Sequence, residues 1–470
     1  MTWAPTGVYL PVHRRTLILE ISTSDALDET QAWLNASPYL LAAAGQLKNT
    51  VVVDIGIDPE SDNFRIATMS LWLDNSGRIF DTRNEDSPFF QCLQARRQIR
   101  LRSHEGLPSG ISGDYYTDIY LDTYGFTGRL VDEDDLEPMF HGFVMEWPRS
   151  YGLRNQFSWV NINAKDGALI LDATDLDDGT FTLDDDSFGL LDGDGLSGTS
   201  EDGADESVFQ DLTGNLLVNT LDSIDWPNNL RDIEPGVVLA GITDGSSSVT
   251  ATVRSLVETE QGAALFWPDG KLGFLSRLWP WDRARSVDVQ ATFGTGGLPF
   301  DDIDGVGPDG TRIRNTWRRT GLAGNEIIRI DEAAKARWGR ISDPTSTVLA
   351  ASDPDIEGQL DLLMARFATQ VERIDTLVLK GTPIVDGTPM ADLLVPLLPL
   401  DRIAVDLTPP GGDPYPTHEA VITRKRTEIS SNDWTDTLRL SPAALEDLFV
   451  LDDNDAAGAS LLDGDAVLAP

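Results

Sequence analysis

The chain is predicted to be mainly β with α+β accessory parts, on three observations. Short runs rich in β-branched and aromatic residues recur along it, separated by Gly, Asn, Asp or Ser clusters. Near the end, RTEISSNDWTDTLRLSPA (426–443) passes through a polar turn into an alternating polar and apolar run, as a half-buried strand does. Helical spacing, by contrast, is confined to a few stretches.

The strand signals of the first third are TLILEIS (16–22), TVVVDIGI (50–57), FRIATMSLWL (64–73), RQIRLRS (97–103) and FSWVNINA (157–164). A turn signal, Asp74-Asn75-Ser76-Gly77, follows the third of these, and Gly77 is expected to supply the positive φ of a tight return. Between 22 and 48, SDALDETQAWL predicts a short helix, with a Ser/Asp cap and Ala, Leu and Trp at helical spacing. VTATVRSLVETEQGAALFW (249–267) opens as an amphipathic helix with Val253, Leu256 and Val257 on one face. PDGKLGFLSR (268–277) then turns at Pro268-Asp269-Gly270 into a returning strand. DPDIEGQLDLLMARFATQVER (353–373) predicts a second helix, capped by Asp353, with Pro354 in its first turn and Ile356, Leu360, Leu363 and Phe367 on one side. TLVLKG (376–381), RIAVDLT (402–408) and EAVITRKRTEI (419–429) lead to the closing strand as a small antiparallel sheet or barrel. In that strand Thr435, Thr437 and Arg439 share one face and Trp434, Leu438 and Leu440 the other, until Pro442, which cannot donate to a ladder, stops it.

Composition narrows the function. At 470 residues the chain has room for several cores, and 41% hydrophobic content with twelve Trp argues for packing rather than disorder. The formal charge of −41 repels nucleic acid and anionic membrane, so no stable nucleic-acid binding is expected. No apolar run approaches the roughly 20 residues that cross a bilayer, and the N-terminus lacks the pattern of a signal peptide. Cys92, the one cysteine, follows an aromatic pair and reads as a small core residue. His13, His104, His141 and His418 share no metal-binding spacing.

Residues 172–207 and 449–470 are runs of Asp, Gly and Ser with isolated Leu and Phe, read as solvated acidic arms. An EF-hand loop needs a Glu at position twelve, but counting from Asp184 and Asp192 reaches Gly195 and Gly203, so no metal site is assigned. Carboxylate neighbours such as Glu258 and Glu260, or Asp132 to Asp135, do not by themselves make a glycosidase pair. No nucleophile elbow, Cys–His arrangement or phosphate loop occurs, so no catalytic or cofactor-binding residue is assigned. The basic phrase ITRKRTE (422–428) reads as a salt-bridged face or subunit contact, and Trp267, Trp279 and Trp281 as hairpin core or interface anchors.

Three segments, in order, resemble minor tail proteins of long-tailed bacteriophages, the tail-tip or baseplate hub family. The first is MSLWLDNSGRIFDTRNEDSPFF (69–90), containing Asn75 and Gly77. The second is MFHGFVMEWPRSYGLRNQFSWVNINAKDGALILDA (139–173), containing Trp147. The third spans about 250 to 443: the phrase EQGAALFWPDGKLGFLSR, the long helix, the RIAV strand and the Trp434 close. Asp166-Gly167 departs from the Asp-Ala of many relatives, and the 172–207 arm is unusually acidic.

The resemblance implies tail-tube-like β-barrel domains in a ring-forming hub, with Trp434, Asn75, Gly77 and Trp147 in structural roles and no cofactor. The expected domains are a β-rich hub domain (1–171), an acidic arm and linker (172–248), an accessory α+β domain (249–350), a helix plus C-terminal barrel (351–444) and an acidic tail (445–470). The implied function is structural: a homotrimeric virion component at the tail tip, made in the host cytoplasm, that joins the tail tube or distal tail protein and the tape-measure protein to receptor-binding or tip proteins and gates DNA passage. The alternatives are a distal tail ring of sixfold symmetry and a tail-associated cell-wall hydrolase.

Overall fold

The structure, a computed structural model, describes residues 8–10, 15–40, 50–57, 64–105, 136–151, 158–176, 208–243, 248–308, 310, 312–322, 324–343, 346–368, 370–409, 411–412 and 415–443. The two acidic arms, from 177 to 207 and beyond 443, lie outside the described residues, as do Asp132 to Asp135 and His13.

Fifteen strands share one sheet. They are β1 (Val8–Leu10), β2 (Arg15–Ser22), β3 (Trp33–Asn35), β4 (Val51–Gly56), β5 (Thr68–Asp74), β6 (Gln98–Glu105), β7 (Glu137–Glu146) and β8 (Arg149–Tyr151). After these come β9 (Ser158–Lys165), β10 (Val289–Gly294), β11 (Asp302–Asp304), β12 (Thr376–Lys380), β13 (Arg402–Asp406), β14 (His418–Ile429) and β15 (Trp434–Pro442). The main path runs β1-β2-β6-β7-β9-β5-β4-β14-β15-β12-β11, with β3 on β2, β8 on β9, and β13 between β14 and β10. All pairings are antiparallel except β10 with β13.

The mainly β class is therefore as expected, but the path does not return on itself: among the described residues no barrel closes by strand pairing. The long strand β14 explains this. One of its edges is covered by β15, while the other pairs with β13 along 418–421 and with β4 along 424–429. The last third of the chain thus extends the first third's sheet instead of curling onto itself. The strand β2 (RTLILEIS) is buried at every position, the pattern of a strand covered on both faces.

The helices are α1 (Thr213–Asp222), α2 (Val249–Glu260), α3 (Asp353–Phe367) and the short α4 (Met390–Leu394), besides the two-turn helix Glu332–Trp338 and single turns elsewhere. In α2, Val253, Leu256 and Val257 are buried as their spacing predicts, against the hairpin of Ala263–Phe266 and Leu272–Leu275. Gly270 turns that hairpin at φ +93°. The helix α3 is capped one residue earlier than expected: Ser352, not Asp353, accepts from the Asp355 amide at 3.3 Å, and Pro354 takes the first turn. It packs Ile356, Leu360 and Leu363 onto Trp317 of the strand Thr316–Thr320.

Two local expectations fail. The stretch 23–34 forms no helix; it is a turn held by Asp25 and Asp28, after which β3 pairs back on β2 from Trp33 to Asn35. Gly77 does not take the positive φ of the 74–80 turn. Arg78 does, at 57°, because the return happens one residue later.

Candidate functional site

The closing strand β15 points Trp434, Asp436, Leu438 and Leu440 inward, with Arg439 outward. Trp434 is fully buried in the core that also holds Val51, Ile429, Phe80 and, from α4 and its C-cap, Ala391 and Val395. Its indole lies against Gly381, where a Cβ would stand 2.8 Å from the ring. The Gly381 amide in turn donates to the Trp434 carbonyl at 2.9 Å. Asp436, which interrupts the apolar face, is also fully buried. With the basic phrase 422–428, that interruption is the trace the site leaves in the sequence.

Lys425 of β14 faces Asp436 of β15, with Nζ and Oδ2 3.8 Å apart. The same ammonium donates to the carbonyls of Leu394, Val395 and Leu397 at 2.5, 3.3 and 3.0 Å, which closes the C-terminal end of α4. Burial draws the Lys425 pKa below the usual lysine value against the pull of Asp436. Burial likewise pushes Asp436 up, against Lys425 and against the Thr427 hydroxyl and Trp434 indole that face its carboxyl.

The opposite side of α4 is held from the first third of the chain. Arg15 of β2, fully buried, donates to Ser103 Oγ and Asp392 Oδ1, each at 2.7 Å, and to Glu137 of β7. Asp392 lies in α4, and burial raises its pKa, opposed by Arg15. This short helix is therefore clamped between a cation from residue 15 and another from residue 425. Alongside, Asp54 of β4 accepts from Arg65 at 3.1 and 3.2 Å and from Arg424 Nε of β14 at 2.6 Å. Burial would raise Asp54, but its hydrogen bonds with Arg424 and Arg65 outweigh this and hold the carboxyl below the usual range. The basic phrase 422–428 is thus a salt-bridged seam within the chain.

The other sequence-selected residues gather at a second point of the Trp434 core. Asn75 is buried; its Oδ1 accepts from the Phe80 amide at 2.8 Å and its Nδ2 donates to Ser158 Oγ at 3.0 Å, pinning the turn to β9. Trp147 stacks on Phe80 with centroids 6.3 Å apart and donates to the Gln94 carbonyl at 2.9 Å. Gly77 stays at the exposed tip. Cys92 is a buried core residue whose thiol pKa burial raises. Glu258 and Glu260 do not act as a pair. Glu260 is buried on the Thr213 hydroxyl and the Val238 and Arg277 amides, while Glu258 accepts from Ser346. Trp267 and Trp279 share a core, and Arg283 lies 4.4 Å from the Trp267 ring centroid.

A cleft of about 400 Å³ opens where β3, β6 and β7 meet the 267–271 turn. In it the Arg100 guanidinium covers Trp33 at 4.2 Å, and His141 bridges the Gln98 amide oxygen and the Asp269 carbonyl, both at 2.8 Å. Burial lowers the His141 pKa, partly offset by the Asp269 carbonyl. Among the described residues no three His, Cys, Asp or Glu are grouped to hold a metal ion, and no helix is long and apolar enough to cross a membrane.

No family model and no curated protein matches the chain. Among solved structures, it is similar to a 43 kDa tail protein of prophage MuSo2 from Shewanella oneidensis, at 9% identity and TM-score 0.48, over 92% of this chain and 99% of that one. It is similar to a tail protein from Neisseria meningitidis MC58 at 10% identity and TM-score 0.48, over 91% and 96%. A third similar chain is the prophage tail protein gp18 from Listeria monocytogenes EGD-e, at 11% identity and TM-score 0.40, over 90% and 94%.

Proposed function

We propose that this chain is a structural protein of a long-tailed phage tail, and within it a tip hub. In this reading three copies form a ring joining the tail tube and tape-measure protein above to tip or receptor-binding proteins below. One observation carries the reading. The three segments that resemble hub proteins, far apart in sequence, are neighbours in a single sheet. The first segment's β5 pairs with the second's β9. On its other side β5 pairs with β4, and β4 pairs with β14, which hydrogen-bonds to the closing strand β15 of the third segment. A scaffold of this kind works mechanically, because bending it breaks many ladder hydrogen bonds at once. The Asp54, Arg15 and Lys425 contacts resist shear between its halves. Its excess of carboxylates favours a surface along which DNA slides without adhering.

An electron-microscopy reconstruction of the tail without imposed symmetry, with antibody labelling of this chain, tests the proposal. Density at the tip with threefold symmetry is the expected result. A sixfold ring assigns it to the distal tail instead, and absence from purified virions overturns the structural reading. Incubation of the pure chain with host peptidoglycan is expected to release nothing; turnover abolished by a single Asp or Glu substitution would favour the hydrolase.

A further inference from the structure

We propose that Lys425 and Asp436 are the two halves of an intramolecular isopeptide bond that cross-links β14 to β15. The register brings them together. Lys425 lies opposite Leu438 and Thr427 opposite Asp436, so Lys425 and Asp436 are diagonal neighbours on the same face of an antiparallel pair. Nζ is already 3.8 Å from a carboxylate oxygen, and the two side chains are 12% and 0% exposed.

In water an amine and a carboxylic acid remain an ion pair, because both are charged and water drives the amide toward hydrolysis. Burial reverses both terms. It disfavours the ammonium and the carboxylate alike, as the opposite displacements of their two pKa values show. It also excludes the water that would hydrolyse the product. The uncharged amine attacks Cγ of the protonated Asp436 carboxyl; the C–N bond forms and the C–OH bond breaks. The hydroxyl departs with a proton from nitrogen as one water molecule, so no oxidant or co-reactant is needed. Thr427, directly across the strand pair from Asp436, and Trp434, two residues before Asp436 on the same face, bring a hydroxyl and an indole N–H to the side of the carboxyl, where they can relay that proton and stabilise charge on oxygen once the carboxyl turns toward them. The amide nitrogen carries one N–H, so Lys425 gives up at least two of its three carbonyl acceptors at and just beyond the end of α4. The resulting bond ties the closing strand to β14 where the two halves of the sheet meet, so β15 cannot peel away under tension. The inference is independent of the tail assignment.

Intact-mass measurement of the full chain tests it directly. The wild-type protein is expected to be lighter than its sequence by one water, and a protease digest to yield a branched peptide joining residues 425 and 436. Lys425→Arg and Asp436→Ala should each return to the sequence mass. Asp436→Asn, which would lose ammonia in the same reaction, should converge on the wild-type mass. A folded wild-type chain at its full sequence mass overturns the proposal, and so does a water loss that maps anywhere other than a Lys425–Asp436 branch.

Discussion

Replacing Trp434 by Ala probes the core beneath the closing strand. The side chain is fully buried, and a buried aromatic removes about 150–250 Å² from water, worth roughly 4–6 kcal/mol at about 25 cal/mol per Å². Partial collapse recovers some of this, because the neighbours of the indole include the small residues Gly381 and Ala391. The expected net cost is therefore roughly 3–5 kcal/mol. A chain with several cores need not unfold in one step, so the readout is urea denaturation combined with hydrogen exchange of the β14 and β15 amides. Protection there should fall first, and Trp434→Phe should fall less. An unchanged midpoint and unchanged protection would show that the indole does not support this core, and the inward register assigned to β15 would be wrong.

Asp54→Ala leaves the Arg65 and Arg424 guanidinium groups facing each other across the β4–β14 seam. Because both keep some solvent contact, the expected cost is about 1–3 kcal/mol, below that of a fully buried pair, read as a shifted urea midpoint. The Asp54 pKa is depressed in the folded state, so its contribution is complete above the unfolded pKa and is lost as pH falls through the folded value; acid unfolding below about pH 4 should be blunted in the variant. Asp166 behaves oppositely. Burial raises it to about 7 despite hydrogen bonds from the Ala67 and Ala168 amides. Its contribution is therefore fully present below the unfolded pKa and lost as pH rises through about 7, and the decline in stability across that window should be smaller in Asp166→Ala. Asn75→Ala strands the Phe80 amide and should cost about 1–3 kcal/mol by denaturation, with faster exchange in the 75–80 turn.

Local patterns alone placed most of the strands, the amphipathic helix at 249 and the hairpin turn at Gly270, because side-chain periodicity and turn chemistry act over a few residues. They failed at 23–34, where capping and spacing favour a helix but pairing of Trp33–Asn35 with β2 wins. The inward-facing Trp434 was legible from alternation, and so was a turn at Asn75, though not that Arg78 rather than Gly77 takes its positive φ. Asp436, Lys425 and Arg15 were not, since a charged residue in a strand reads as solvent-facing unless its partner is known. Arg15 meets Asp392 and Glu137, while Lys425 meets Asp436 and the carbonyls at the end of α4, so only tertiary structure brings them together. The same holds for the architecture. Pairing of β4 with β14 joins Asp54 to Arg424 across 370 positions, and it is this junction that replaces a closed barrel with one extended sheet. Nothing local encodes such a pairing, because a strand's free edge presents the same backbone donors and acceptors whichever strand arrives.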